Sequence, residues 1–166
     1  MGQEGDVGQW LDRQAVMDLI NRYADSVTRG DYEHTATLFA PDAVWEEKGG
    51  ERFDTADDFV DYLVQGSASL ELLIQTPHSS VIEFVGPDRA TATTTTHEMA
   101  RGVAGGASAL GEAGMEMAFD RYGIYYDELT KFGHDWKFTR RTFVPFFTTT
   151  GLVGDVSESR PLLPPG

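Results

Sequence analysis

The sequence predicts an α+β domain: three helices come first, long antiparallel strands come last, and one curved sheet wraps over the helices. Two observations carry this. Apolar residues recur at steps of three and four through the early part of the chain, and the second half turns to Thr-rich and aromatic strand-like segments joined by short turns. A sheet curved over helices leaves a mostly apolar pocket on its concave face, of the kind in which small ligands bind.

Trp10, Leu11, Val16, Leu19, Ile20, Tyr23, Ala24 and Val27 form one apolar stripe, which predicts a helix over about Asp12 to Arg29. Gly30 fits its C-terminus, and Asp31 fits the N-cap of a second, shorter helix through Leu38 and Phe39, stopped by Pro41. Ala43 to Glu46 reads as a short strand, with Gly49 and Gly50 as the turn after it. Thr55, with Asp58 three residues on, resembles a capping box opening a third helix, which carries Phe59, Tyr62 and Leu63 on its apolar face and ends near Gly66. Ile74 to Val85 and Ala90 to Arg101 read as a hairpin, Met115 to Phe132 and Trp136 to Phe147 as two further long strands. Between the two pairs, 102–114 is rich in Gly and Ala and is expected to be a loop or a mobile lid. The whole divides into an N-terminal arm (1–11), a single domain (12–147) and a C-terminal tail (148–166) containing Pro161, Pro164 and Pro165.

The 166 residues carry a formal net charge of −14 with no run of basic residues, so the footprint of a nucleic-acid-binding protein is absent and an anionic membrane surface is disfavoured. Most of that charge, a net −10, lies in Met1–Tyr62, which reads as the solvated outer face of the helices. The more nearly neutral remainder suits an uncharged or weakly acidic hydrophobic ligand. Without cysteine there are no disulfides, thiolate nucleophiles or thiolate metal sites. No apolar stretch approaches the ~20 residues of a membrane span and no secretory signal opens the chain, so a soluble cytoplasmic protein is expected.

Familiar catalytic motifs are incomplete. His97-Glu98 begins H-E-x-x-H, but Arg101 stands where the second His belongs; Ser108 lacks the second glycine of a nucleophile elbow. No metal or nucleotide cofactor is expected. His34 and His134 read as surface residues. His78 shares strand parity with Ser80, Ile82 and Phe84, the more apolar face, and is the candidate general base. The facing of His97 is hidden by the Thr-rich run Thr91 to Thr96. Tyr23 lies on the buried stripe, where its hydroxyl needs a polar partner or a ligand. Tyr122, Tyr125 and Tyr126 span both parities, so at least one faces inward. Arg141 shares parity with Lys137 and Thr139 and reads as exposed.

The stretches Ile20-Asn21-Arg22-Tyr23-Ala24-Asp25, Arg29-Gly30-Asp31-Tyr32, Leu38 to Trp45 and Trp136 to Arg141 resemble the SnoaL-like branch of the nuclear transport factor 2-like superfamily, over about Gln14 to Val144. The resemblance implies an α+β cone enclosing a cavity, cofactor-independent chemistry on hydrophobic ring compounds, and a homodimer or homotrimer. In its dehydratase-like pattern the strand His falls on His78, the helix Tyr on Tyr23, and His97 is a candidate for a second inward His. The Asp that pairs with the strand His falls on Thr28, which carries no charge. The implied catalytic set is therefore His78, Tyr23 and His97, with Thr28, Tyr126, Arg101, Val27 and Phe59 binding substrate. The expected activity is dehydration, isomerisation or cyclisation of a polyketide-, steroid- or terpenoid-like molecule. The competing expectation, favoured by Thr28, is a non-catalytic lipophilic-ligand-binding or oligomerisation domain of the same fold.

Overall fold

A computed structural model describes residues 3–103 and 116–152. Nearly all of the Gly- and Ala-rich segment, and the proline-containing end of the tail, lie outside those ranges. Helix α1 spans Gln3–Arg29, so most of the expected arm is helical. Val7, Trp10 and Leu11 on it are exposed, Trp10 at 59%, and the buried stripe starts at Val16. Gly30 ends the helix with φ +69. Its N–H bonds Val27 O and that of Asp31 bonds Ser26 O, a left-handed termination that satisfies the last carbonyls. Asp31 caps α2 (Tyr32–Thr37) through the N–H of His34, and a buried Ser26–Thr35 hydroxyl pair at 2.8 Å pins the two helices together.

Helix α2 is shorter than expected because Phe39 already belongs to strand β1 (Phe39–Glu47). Pro41 therefore sits inside a strand instead of stopping a helix. A two-residue strand β2 (Arg52–Phe53) follows, then α3 (Ala56–Ser67), whose cap Thr55 accepts the N–H of Asp58 as expected. Strands β3 (Leu70–Phe84), β4 (Arg89–Val103), β5 (Glu116–Phe132) and β6 (Asp135–Leu152) complete one six-stranded sheet in the order β2-β1-β6-β5-β4-β3. The β1–β6 pair is parallel and the others antiparallel, so the sheet is mixed; it does not close on itself. The architecture is the predicted α+β class, helices packed on one face of a long sheet.

The core lies between that face and the helices. Val16, Ile20, Tyr23 and Val27 from α1 meet Phe39 and Trp45 from β1, Phe59 from α3, and Phe138 and Phe143 from β6. Phe59 stacks on Trp45 with centroids 4.6 Å apart. Among the described residues, no helix is long and apolar enough to cross a membrane.

Of the irregularities in the ladders, two decide on which face His78 and Arg141 lie. Between Pro77 and Ser80 strand β3 has one residue more than β4 opposite it, and at Thr139 strand β6 has one more than β5. Because side chains alternate with period two, a single extra residue transfers all that follow to the other face.

Candidate active site

The inner face is not wholly apolar. Thr28, near the end of α1, accepts the backbone N–H of Gln75 at 3.0 Å. The Gln75 side-chain amide donates to Glu98 Oε2 at 2.9 Å and to the Tyr125 hydroxyl at 3.3 Å. Glu98 Oε1 accepts from Arg121 Nη2 at 2.9 Å, and Arg121 Nη1 donates to Glu47 Oε2 at 3.0 Å. Gln75 and Glu98 are buried, whereas Arg121 and Glu47 are only half-buried. One hydrogen-bonded path thus runs from α1 across the interior toward solvent. Strict alternation along β4, where Ala90, Ala92, Thr94, Thr96, Glu98 and Ala100 are buried, brings Glu98 inward. At Gly123 a Cβ would lie 2.3 Å from the Phe143 ring. Its absence lets that ring lie 4.9 Å from Tyr125 and 4.7 Å from the Arg121 guanidinium.

A second polar group adjoins the first. Arg141, 1% exposed, places its guanidinium 3.8 Å from the Tyr125 ring centroid, 4.0 Å from Tyr23 and 4.4 Å from Phe138. Its Nε lies 3.4 Å from Asp127 Oδ1, yet neither Arg141 Nε or Nη1 nor either Asp127 oxygen makes a hydrogen bond among the described residues. Burial pushes the Asp127 carboxyl up to about 6, with the Arg141 charge opposing. Burial also raises the Tyr23 and Tyr125 hydroxyls, Tyr125 strongly, while Arg141 pulls both back and the Glu98 charge raises both. The Tyr23 hydroxyl sits beside that of Tyr125 and beside the Trp45 indole N–H, and both act on it as hydrogen-bond partners. Two hydroxyls and an indole N–H therefore lie together, with the Glu98 carboxylate across the Gln75 amide from Tyr125.

The structure separates the residues expected from sequence. Tyr23 is buried in this cluster, and Val27 and Phe59 are buried core residues beside it. Thr28 touches it through Gln75, so the strand residue beside Thr28 is Gln75 and not His78. His78 lies on the outer face: the extra residue between Pro77 and Ser80 breaks the parity it was expected to share with Ile82 and Phe84, and its ring is exposed. His97 also points outward, since β4 pairs β5 without interruption and its odd-numbered residues face away from the helices. It stacks on Tyr122 at 4.2 Å and pairs with Asp120 at 2.5 Å. Tyr126 is exposed on the same outer face, and Arg101 pairs with Glu71 there at 3.5 Å. Arg141 is the reverse correction: expected outside, it is carried inside by the extra residue at Thr139.

Gln75, Glu98, Arg121, Asp127 and Arg141 were not among the expected site residues. For Glu98 a signal existed, because the small apolar residues Ala90, Ala92 and Ala100 mark even positions of β4 as inward. No group of three or more His, Asp or Glu placed to hold a metal ion occurs among the described residues. An open groove of about 420 Å³ between α1, α2 and the start of β6, lined by Arg22, His34 and Trp136, shares no lining residue with the polar cluster.

Comparison with known proteins agrees with this architecture. The sequence profile of the SnoaL-like domain family matches residues 9–142. A hexachlorocyclohexane dehydrochlorinase (LinA) of type 2 superposes with a TM-score of 0.78 at 16% identity, covering 95% of this chain and 99% of that one. A candidate scytalone dehydratase from Novosphingobium aromaticivorans gives 0.75 at 16% identity, over 93% and 99% of the two chains. The type 3 dehydrochlorinase of Novosphingobium barchaimii gives 0.74 at 18% identity, over 94% and 99%. No curated protein matches the sequence.

Proposed function

Because the chain belongs to the SnoaL-like domain family, we propose that it is a cofactor-independent enzyme performing acid/base chemistry on a hydrophobic polyketide-, steroid- or terpenoid-like molecule held on the inner face of the sheet. Dehydration, isomerisation and cyclisation are the reactions considered. The observation that carries the reading is the polar path along the inner face, from Gln75 through Glu98 to Arg121, beside the buried Arg141 and Asp127. Burying such groups costs free energy unless they are paired, and a fold held by packing alone has no use for them. The three structural neighbours described above are two dehydrochlorinases and a candidate dehydratase, names that imply removal of a proton and a leaving group. In this reading Tyr23 donates a hydrogen bond to a carbonyl or leaving hydroxyl, while His78 and His97, on the outer face, take no part.

The test is a panel of hydroxylated ring ketones. Wild-type protein is expected to turn over at least one, Tyr23→Phe to lose about 100-fold in kcat as for a deleted oxyanion donor, and His78→Ala to match wild type. A panel bound but left unreacted would favour the non-catalytic ligand-binding alternative, to which the uncharged Thr28 points.

We further propose that the outer face meets a second copy of the chain, giving a homodimer or homotrimer. Phe146 is 61% and Tyr126 47% exposed there, with Val81 and Phe147 also exposed, apolar side chains that a second copy could cover. Sedimentation at micromolar concentration should give a dimer or trimer, and Phe146→Asp should shift it to monomer. A monomeric wild type removes the proposal.

A further inference from the structure

We infer that self-association through the outer face of the sheet is governed by pH, with the His97–Asp120 pair as its proton-binding element. Copies join when the imidazole is protonated and separate as it loses its proton. This rests on the reading that a second copy covers that face.

The pair lies inside the patch on which that reading stands. Cross-strand register sets His97 of β4 opposite Tyr122 of β5, and Tyr122 opposite Phe147 of β6. Asp120, two residues from Tyr122, shares the outer face and stands diagonal to His97. The rings form one ladder across four strands. His78 of β3 lies 6.3 Å from His97, and His97 stacks on Tyr122 at 4.2 Å with the ring planes 3° apart. Tyr122 in turn lies 6.4 Å from Phe146 and 6.2 Å from Phe147. Those two phenylalanines are exposed, so a copy that covers them also reaches the ladder.

In the single chain the pair is still in contact with water. The side chains of His97 and Asp120 are 25% and 45% exposed, and Nε2 meets Oδ1 at 2.5 Å. An exposed pair of this kind contributes little to stability. Under a second copy the balance changes, because a charge taken out of water costs free energy unless an opposite charge accompanies it. With the imidazole protonated, the pair is neutral overall and can be covered. With the imidazole neutral, the carboxylate keeps its charge, and no other cation is in ion-pair contact with Asp120 among the described residues. A symmetric contact then buries one such charge from each copy, and the two repel.

Few other charged or titratable groups face His97. His78 comes from β3, and Tyr122 and Asp120 from β5. Along β4 the outward neighbours Thr95 and Met99 are uncharged, and Arg101 beyond them is paired with Glu71 of β3. Around Tyr122 and Asp120, β6 places Phe146, Phe147 and Thr149, none of which titrates. The helices pack on the opposite face. A proton on His78 works against the switch, since it sets a second positive charge beside His97. Association therefore takes up protons, at most one per copy through His97. By linkage it is strongest below the range in which imidazoles titrate and is lost as pH rises through that range.

Sedimentation of the full chain from pH 5.5 to pH 8, at constant ionic strength, reads the dissociation constant directly. Wild type is expected to associate about 10-fold or more tightly at pH 5.5 than at pH 8. The net charge of −14 also shrinks as pH falls, which tightens any self-contact, so two variants separate the causes. His97→Gln keeps an amide donor for Asp120 but cannot titrate; it should associate weakly, and by a factor that changes about 2-fold at most over the range. Asp120→Asn leaves the imidazole without its carboxylate, so covering now favours the neutral ring and the dependence should reverse, tighter at pH 8. An unchanged pH dependence in either folded variant makes net charge the cause and overturns the inference. Wild type that associates equally at every pH overturns it as well, and leaves the outer-face reading standing. Wild type that is monomeric at every pH removes both.

Discussion

Replacing Arg141 by Leu should destabilise the protein by about 4 kcal/mol at pH 7, read from urea denaturation, because breaking a buried charge pair strands the other charge. Three contributions compete. The guanidinium lies over three aromatic rings, at 3.8, 4.0 and 4.4 Å, and a desolvated cation–π contact contributes about 2 kcal/mol. Against this stands the cost of holding the cation out of water with Nε and Nη1 unbonded. The third is the Asp127 carboxylate at 3.4 Å, which without Arg141 would be an isolated charge at 2% exposure. The last dominates, since an uncompensated interior charge costs more than either of the others. The double variant Arg141→Met with Asp127→Leu should therefore recover most of the loss, as buried pairs replaced by apolar residues commonly do. Should the double variant be as unstable as Arg141→Leu, the rings and not the carboxylate hold Arg141 in place.

The same residue illustrates what the amino-acid order can reveal. Element order and class were readable because their signals are local: the stripe from Val16 to Val27, Gly30 in a left-handed conformation, and Thr55 capping Asp58 each act within one or two turns. The facing of Arg141 and His78 was not, since each lies just beyond or within a one-residue irregularity that has no composition of its own. One extra residue at Thr139 turns Arg141 inward, and one between Pro77 and Ser80 leaves His78 outside. Glu98 and Gln75 were missed for a different reason. Alternation is read by treating polar residues as outward, so polar residues that belong to the interior disguise the very pattern that places them. Tyr23 was legible because it sits on a helical stripe whose other members are plainly apolar, and it is the one expected catalytic residue that lies in the cluster.

The stability of the wild type should fall as pH rises from 4 to 7 more steeply than that of Asp127→Asn, the difference amounting to about 3 kcal/mol. Burial raises the folded-state Asp127 from 3.8 to about 6, with Arg141 opposing. Between those values the folded chain binds the proton more tightly than the unfolded chain does, so stability is lost as pH rises. Below about 4 both states hold the proton and the contribution is full; above about 6 both have released it and the loss is complete. Two pH units at about 1.4 kcal/mol each set the size of the swing. Asn cannot titrate, so its chain keeps every other pH-dependent term, including Glu46 and Asp12, both held below the usual carboxylate range. The Asn variant also leaves Arg141 without its carboxylate, but that cost is the same at every pH in the window and displaces the curve without tilting it. Urea midpoints for both chains at half-unit steps from pH 4 to pH 7 measure the tilt directly. Parallel curves would mean that Asp127 stays ionised throughout, so that Arg141, in spite of the missing hydrogen bond, compensates its charge fully.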